Sequence, residues 1–168
     1  IRPQKDEYRD FRGFAGVIAG GVFKVSDAVV ALPSGKTSRI RAIHTYEGNI
    51  DTAFTPMSVS LLLEDEIDIS RGDMIVRKDN VPYVDKQFDA MVAWMHETPL
   101  AKGKKYYIKL GTKSARAMIK DLLFRVDIQE MERDSQATEL ALNEIGRVNL
   151  ILTEPVAHDA YSRNRQTG

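Results

Sequence analysis

The stretch DAVVALPSGKTSRIRAIHTY, residues 27–46, decides how the rest of the chain is read. Its first six residues are an apolar run rich in β-branched side chains, which fits a buried strand. Pro33-Ser34-Gly35 then supplies a turn, because proline fixes φ and glycine accepts a positive φ. In SRIRAIHTY, residues 38–46, alternation places Ile40, Ala42, His44 and Tyr46 on one face. Arg39, Arg41 and Thr45 fall on the other, with Ile43 alone out of pattern. The whole reads as strand, turn, strand.

Working outward, the same rhythm runs from residue 9 to residue 76. FRGFAGVI (11–18) is a strand bent at Gly13 and Gly16, and Gly20-Gly21 turns the chain into residues 22–25. Glu47-Gly48-Asn49 marks a hairpin, SVSLLL (58–63) is a strand, and DISRGDMIV (68–76) holds a tight Arg71-Gly72-Asp73 turn before another. Short strands at this spacing favour a closed barrel over an open sheet with bare edges. RKDNVPYV, residues 77–84, reads as a linker, which divides the chain into domains at 1–79 and 80–168.

The second half is also all-β. In QFDAMVAWMH (87–96), apolar residues fall at both parities, so both faces are expected to be buried. KKYYIKL (104–110) and RVNLIL (147–152) are strands, and residues 115–131 give one long strand or a bent pair. Residues 134–145 read as a loop with one helical turn, and residues 158–168 as a polar, mobile tail.

Composition narrows the function classes. A hydrophobic fraction of 43% is that of a globular protein, and 24 basic residues balance 24 acidic ones. No net field draws the chain to a polyanion, so neither nucleic acid nor a membrane is an expected partner. With no cysteine, a disulfide framework and thiolate metal sites are excluded. No apolar run reaches the roughly 18 residues of a membrane-spanning helix. The first residues, IRPQKDEYRD, have no signal-peptide core and begin without Met, as a piece of something longer would.

Chemistry-bearing motifs are weak. Gly35-Lys36-Thr37 ends like a phosphate-binding loop, but Val30 stands where the first glycine is required and a strand follows, not a helix. Gly13, Gly16, Gly20 and Gly21 do not spell a dinucleotide fingerprint. His44, His96 and His158 are scattered without metal-ligand spacing, and no nucleophile elbow is present. Neither catalytic residues, nor cofactor-binding residues, nor metal ligands are therefore assigned. The acidic run Glu64, Asp65, Glu66, Asp68 lacks the register of a calcium loop and reads as a solvated hairpin end. Together with Arg71 it is the candidate partner-docking rim.

Taken together, DFRGFAGVIAGGVFKVSDAVVALPSGKTSRIRAI (10–43) and MSVSLLLEDEIDISRGDMIV (57–76) resemble the second domain of translation-factor-like GTPases, and specifically the CysN family. KLGTKSARAMI (109–119), LALNEIGRVNLILTEPVAHDAY (140–161) and NRQTG (164–168) resemble the third domain of that family, like domain 3 of elongation factor Tu. The resemblance implies two consecutive small β-barrels that are non-catalytic by themselves. It also implies a parent GTPase subunit of sulfate adenylyltransferase, in the cytoplasm. GTP and Mg would be held by a G domain absent from this sequence. GTP hydrolysis there is coupled to synthesis of adenosine 5′-phosphosulfate from ATP and sulfate by the partner CysD. Family members continue past NRQTG into another apolar strand, so the second barrel is expected to lack its closing strand. The alternatives are a tRNA-binding barrel module of a translation GTPase and a free-standing barrel that binds a small molecule.

Overall fold

The computed structural model describes residues 12–127, 129, 130 and 132–168. Phe11 and Met131, which the sequence places in strands, lie outside the described residues, as does the charged segment before residue 11. Among the described residues there is no helix, so none is long and apolar enough to cross a membrane. The chain divides into two compact units, residues 1–84 with 157–168, and residues 85–156.

The first unit contains β1 (Gly13–Val17), β2 (Val22–Lys24), β3 (Ala28–Leu32), β4 (Lys36–Thr45), β5 (Gly48–Ile50), β6 (Thr52–Phe54), β7 (Ser58–Leu63) and β8 (Met74–Arg77). The main sheet runs β1-β7-β4-β3-β8 with β5 added to β4, while β2 and β6 form a separate ribbon. All of these pairings are antiparallel. One face surrounds a core of Val29, Ala31, Ile40, Ile43, Val59, Leu61 and Leu63, with Phe23 and Ala53 from the ribbon. Ile40 and Ile43 are both 0% exposed. Burying each stabilises the fold by roughly 1.5–3 kcal/mol.

Strict alternation cannot place Ile40 and Ile43 on one face. The structure does so with a β-bulge: Ile40 pairs with Leu63 and Ala42 with Leu62, so Arg41 is an extra residue that resets the parity. The face expected from alternation is corrected accordingly, with Ser38, Ile40 and Ile43 inward and Tyr46 fully exposed. The other face of β3 is covered too, since Val30 and Leu32 pack with Ala157, Met74, Val76 and Val84. Burial on both sides is why DAVVAL is apolar at every position from Ala28 on.

The second unit is built from β9 (Tyr83–Ala93) from residue 85 on, β10 (Leu100–Ala101), β11 (Lys105–Leu110), β12 (Lys113–Val126), β13 (Arg133–Asp134), β14 (Glu139–Leu140) and β15 (Ile145–His158) as far as residue 156. The order is β11-β12-β15-β9 with β13 on β12, and β10 pairs with β14. The long β12 is bent by register shifts at Lys120 and Leu123, which keep Ala117, Ile119 and Leu122 in the core despite their spacing. Small residues face large ones across the hairpin: Tyr106 pairs with Ala117 and Ile108 with Ala115. Trp94 meets Tyr106 edge-on at 5.3 Å.

Three expectations for this half are corrected. Only Phe88, Ala90, Val92 and Trp94 approach the core, whereas Met91 is 57% and Met95 75% exposed, because β9 lies at the sheet border with one face covered. Strand β15 continues past Leu152 through Pro155; β12 pairs with it only as far as Leu152, so the missing proline N–H costs no bond to β12. Residues 134–145 hold no helical turn. Leu140 is instead an inward residue of β14 with 0% exposure. Arg125 clamps this segment through Glu144 at 2.8 Å and Asp134 at 2.9 Å. The Glu144 carboxylate in particular holds the guanidinium more firmly protonated than a free arginine, against the opposing effect of desolvation.

Residues 159–168 follow β15 as a set of turns folded onto the first unit. The Asn164 side-chain amide donates to Ala19 O at 3.4 Å, Arg163 donates to Asn80, and Thr167 Oγ1 donates to Asp159 Oδ2 at 2.7 Å.

Gly146 is a point of close approach, since a Cβ there would lie 2.7 Å from Leu140 Cδ2 and 2.8 Å from the Phe124 carbonyl oxygen. Gly16 faces open space. Gly146→Ala should therefore cost about 1–3 kcal/mol in urea unfolding, while Gly16→Ala should leave the midpoint unchanged. Equal midpoints for both variants would contradict this packing.

Candidate functional site

The segment that carries the docking candidates leaves β7 at Leu63 and enters β8 at Met74. Those strands are not partners, because β7 bonds β1 and β4 while β8 bonds β3. The reading of Glu64 to Asp68 as a hairpin end is thus corrected: it is a loop crossing from one part of the sheet to another. Such a loop must satisfy its own backbone groups, and the sequence EDEIDISRGD does this in three steps.

First, Glu64 N–H donates to Arg39 O at 3.0 Å, and Asp65 and Ser38 bond each other. The Asp65 N–H donates to Ser38 Oγ at 3.1 Å, and the Ser38 hydroxyl donates to Asp65 Oδ2 at 2.8 Å. Second, Ile67 is buried in the first unit's core and Ile69 packs against it, so the apolar residues of EIDI point in and the acids point out. Third, Arg12 reaches Asp68 at 2.9 Å and Glu66 at 3.9 Å while its guanidinium stands 5.7 Å from the Phe14 ring centroid. Arg71-Gly72-Asp73 is a turn, as its sequence suggests: Gly72 has φ of 95°, Asp73 N–H donates to Ser70 O, and Asp73 Oδ2 accepts from Ser70 N–H.

Of the five docking candidates, then, Asp65, Glu66 and Asp68 are engaged within the unit. Glu64 and Arg71 are exposed and have no ion-pair partner among the described residues. Arg12 and Ser38 were missed by sequence reasoning as parts of the loop, because they lie 56 and 27 residues from their partners. Arg39, Glu64, Asp65 and Lys78 border a shallow open groove. Its mixed signs suit contact with a protein surface better than capture of a small anion.

The remaining motifs are placed as follows. Gly35-Lys36-Thr37 closes the β3–β4 hairpin, with Gly35 at φ of 74° and its N–H donating to Ala31 O at 2.8 Å. His44 lies in β4, His96 accepts from Thr98 N–H through Nδ1 at 3.0 Å, and the ring of His158 stands 5.8 Å from that of Tyr83. Among the described residues no group of three or more His, Asp or Glu is arranged to hold a metal ion.

Residues 87–168 match the family model described as GTP-eEF1A C-terminal domain-like. The fold is shared with solved translation GTPases. A Sup35 structure complexed with GMPPNP aligns at a TM-score of 0.84 and 18% identity, covering 92% of this chain and 38% of that one. Elongation factor SelB from Methanococcus maripaludis aligns at 0.69 and 20% identity, covering 86% of this chain and 32% of that one. The fold is therefore that of the β-barrel modules of translation-factor-like GTPases.

Within this class the sequence similarity is far higher to one group. Sulfate adenylyltransferase subunit 1 of Alteromonas mediterranea is 47% identical over 95% of the chain and 34% of its own length. The bifunctional enzyme CysN/CysC of Mycobacterium tuberculosis is 47% identical over 100% of the chain and 28% of its own length. Over nearly its whole length the chain is thus similar to CysN, the subunit 1 proteins of sulfate adenylyltransferase, and it spans about a third or less of the relatives it matches.

Ser38→Ala removes the acceptor of the Asp65 N–H and is expected to cost about 1–3 kcal/mol, whereas Glu64→Lys should change stability by less than about 0.5 kcal/mol. Urea titrations of the two variants check the contrast; a stable Ser38→Ala chain would mean the loop does not depend on this pair.

Proposed function

We propose that this chain is the C-terminal region of the GTPase subunit of sulfate adenylyltransferase. In this reading GTP and Mg are bound by a G domain elsewhere in the parent, and GTP hydrolysis is coupled to synthesis of adenosine 5′-phosphosulfate from ATP and sulfate by CysD in the cytoplasm. The observation that carries it is identity of 45–47% with CysN proteins over 95% or more of the chain, against 18–20% for the translation factors of like fold.

The role fits the physical character of the units. A close-packed β core transmits a displacement instead of absorbing it, and each unit has its own core of buried aliphatic side chains. GTPase switches act by moving such bodies when the nucleotide changes. The chain itself serves as the moved body and carries no part of the bond chemistry. The loop from Glu64 to Arg71 is the contact offered to CysD or the G domain. Glu64 and Arg71 carry it, since their charges are not spent inside the unit.

Two measurements test the proposal. The double reversal Glu64→Lys with Arg71→Glu should weaken capture of the chain by immobilised CysD about tenfold; unchanged capture would remove the loop from the contact. Turnover of ATP and sulfate by the chain alone would overturn the assignment of a non-catalytic role.

A further inference from the structure

The neutral overall charge conceals a segregation. Residues 102–120 contain seven Lys and Arg and no Asp or Glu, whereas residues 127–144 contain six Asp and Glu and one Arg. The basic segment is the hairpin of β11 and β12, and its strand geometry sorts the side chains by face. Tyr106, Ile108, Ala115 and Ala117 point into the second unit's core. Lys105, Tyr107 and Lys109 alternate outward on β11, and Arg116 is outward on β12 directly opposite Tyr107.

At the centre of this face Tyr107 is 77% exposed, with the Arg116 guanidinium 5.9 Å from its ring centroid. Lys105 and Lys109 flank it, each about 7 Å away along the strand. Lys102 and Lys113, in the same segment, are matched to Asp121 and Glu154. Lys105, Lys109 and Arg116 have no acidic partner among the described residues. Lysines on a border strand commonly guard against edge pairing, and β11 is a border strand. That function explains neither a cation on β12, which lies between β11 and β15, nor an exposed tyrosine at the centre.

We propose that this outward face of β11 and β12 docks an acidic surface of a protein partner, namely the partner subunit of sulfate adenylyltransferase. The inference rests on the family reading above for the partner's identity, and on the chemistry of the face for its sign. A central Tyr and Arg pair flanked by two lysines has the composition of an interface anchor with a charged rim. A nucleic acid is the less favoured occupant, because the second unit as a whole is neutral, with eleven basic and eleven acidic residues in 85–156. Attraction is thus confined to short range, as suits a partner that presents a matched patch.

The test uses the 168-residue chain and immobilised partner subunit at low salt. Reversing Lys105, Lys109 and Arg116 to Glu should slow association at least about tenfold and flatten its salt dependence. Reversing three exposed lysines elsewhere, Lys24, Lys36 and Lys86, should not. Tyr107→Ala should speed dissociation with little change in association, which keeps the proposal testable should the triple variant fold poorly. Retained binding by the folded triple variant, or by Tyr107→Ala, overturns the face and leaves the family reading intact. Failure of the unaltered chain to bind the partner overturns both. Binding of single-stranded RNA that the triple variant loses, with partner binding unchanged, would reassign the face to nucleic acid and overturn the proposal.

Discussion

Everything in the two units depends on long strands that bend without losing their buried face. A strand of ten or more residues with perfect alternation makes a gently twisted ribbon, and a small unit needs tighter curvature than that to wrap its own core. The chain meets this constraint with single extra residues, at Arg41 in β4 and at Lys120 and Leu123 in β12. Each breaks the ladder locally and increases bend and twist. The cost is one irregular step, and the return is that Ile43 and Leu122 stay in the core on the far side of the bend.

That same constraint sorts the charges. Once a sheet has one face committed to its core, polar residues on the other face either serve the fold or remain for partners. Asp65, Asp68 and Arg12 serve the fold, because a loop crossing between non-adjacent strands needs fixed anchors. Glu64, Arg71, Lys105, Lys109 and Arg116 are not used in this way. Counting charges in the sequence cannot separate these two groups, since each looks alike until its partner is known.

The sequence revealed much of the fold. Residues 58–63 and the turn at Gly35 were readable because apolar runs and turn residues coincide there. Ile43 stood out as an exception, but a bulge is visible only when the opposing strand is known. The strands β5, β6, β10, β13 and β14 have two or three residues each, too few to show any period. Met91 and Met95 misled because methionine is apolar enough to suggest burial yet tolerates exposure. At the candidate loop, sequence gave the acids and the glycine turn. It could not give Arg12 or Ser38, whose contacts form only after distant strands have paired.

The first unit is discontinuous along the chain, since residues 157–168 return to it after the second unit has been made. Ala157 covers the outer side of Val30 and Leu32, and Asn164 bonds the Ala19 carbonyl 145 positions earlier. During synthesis, nascent β3 therefore emerges well before one part of its cover, Ala157, is translated, while Met74, Val76 and Val84 follow sooner. The first unit thus keeps part of its apolar surface uncovered until synthesis has passed residue 157, an interval in which that surface is open to wrong contacts.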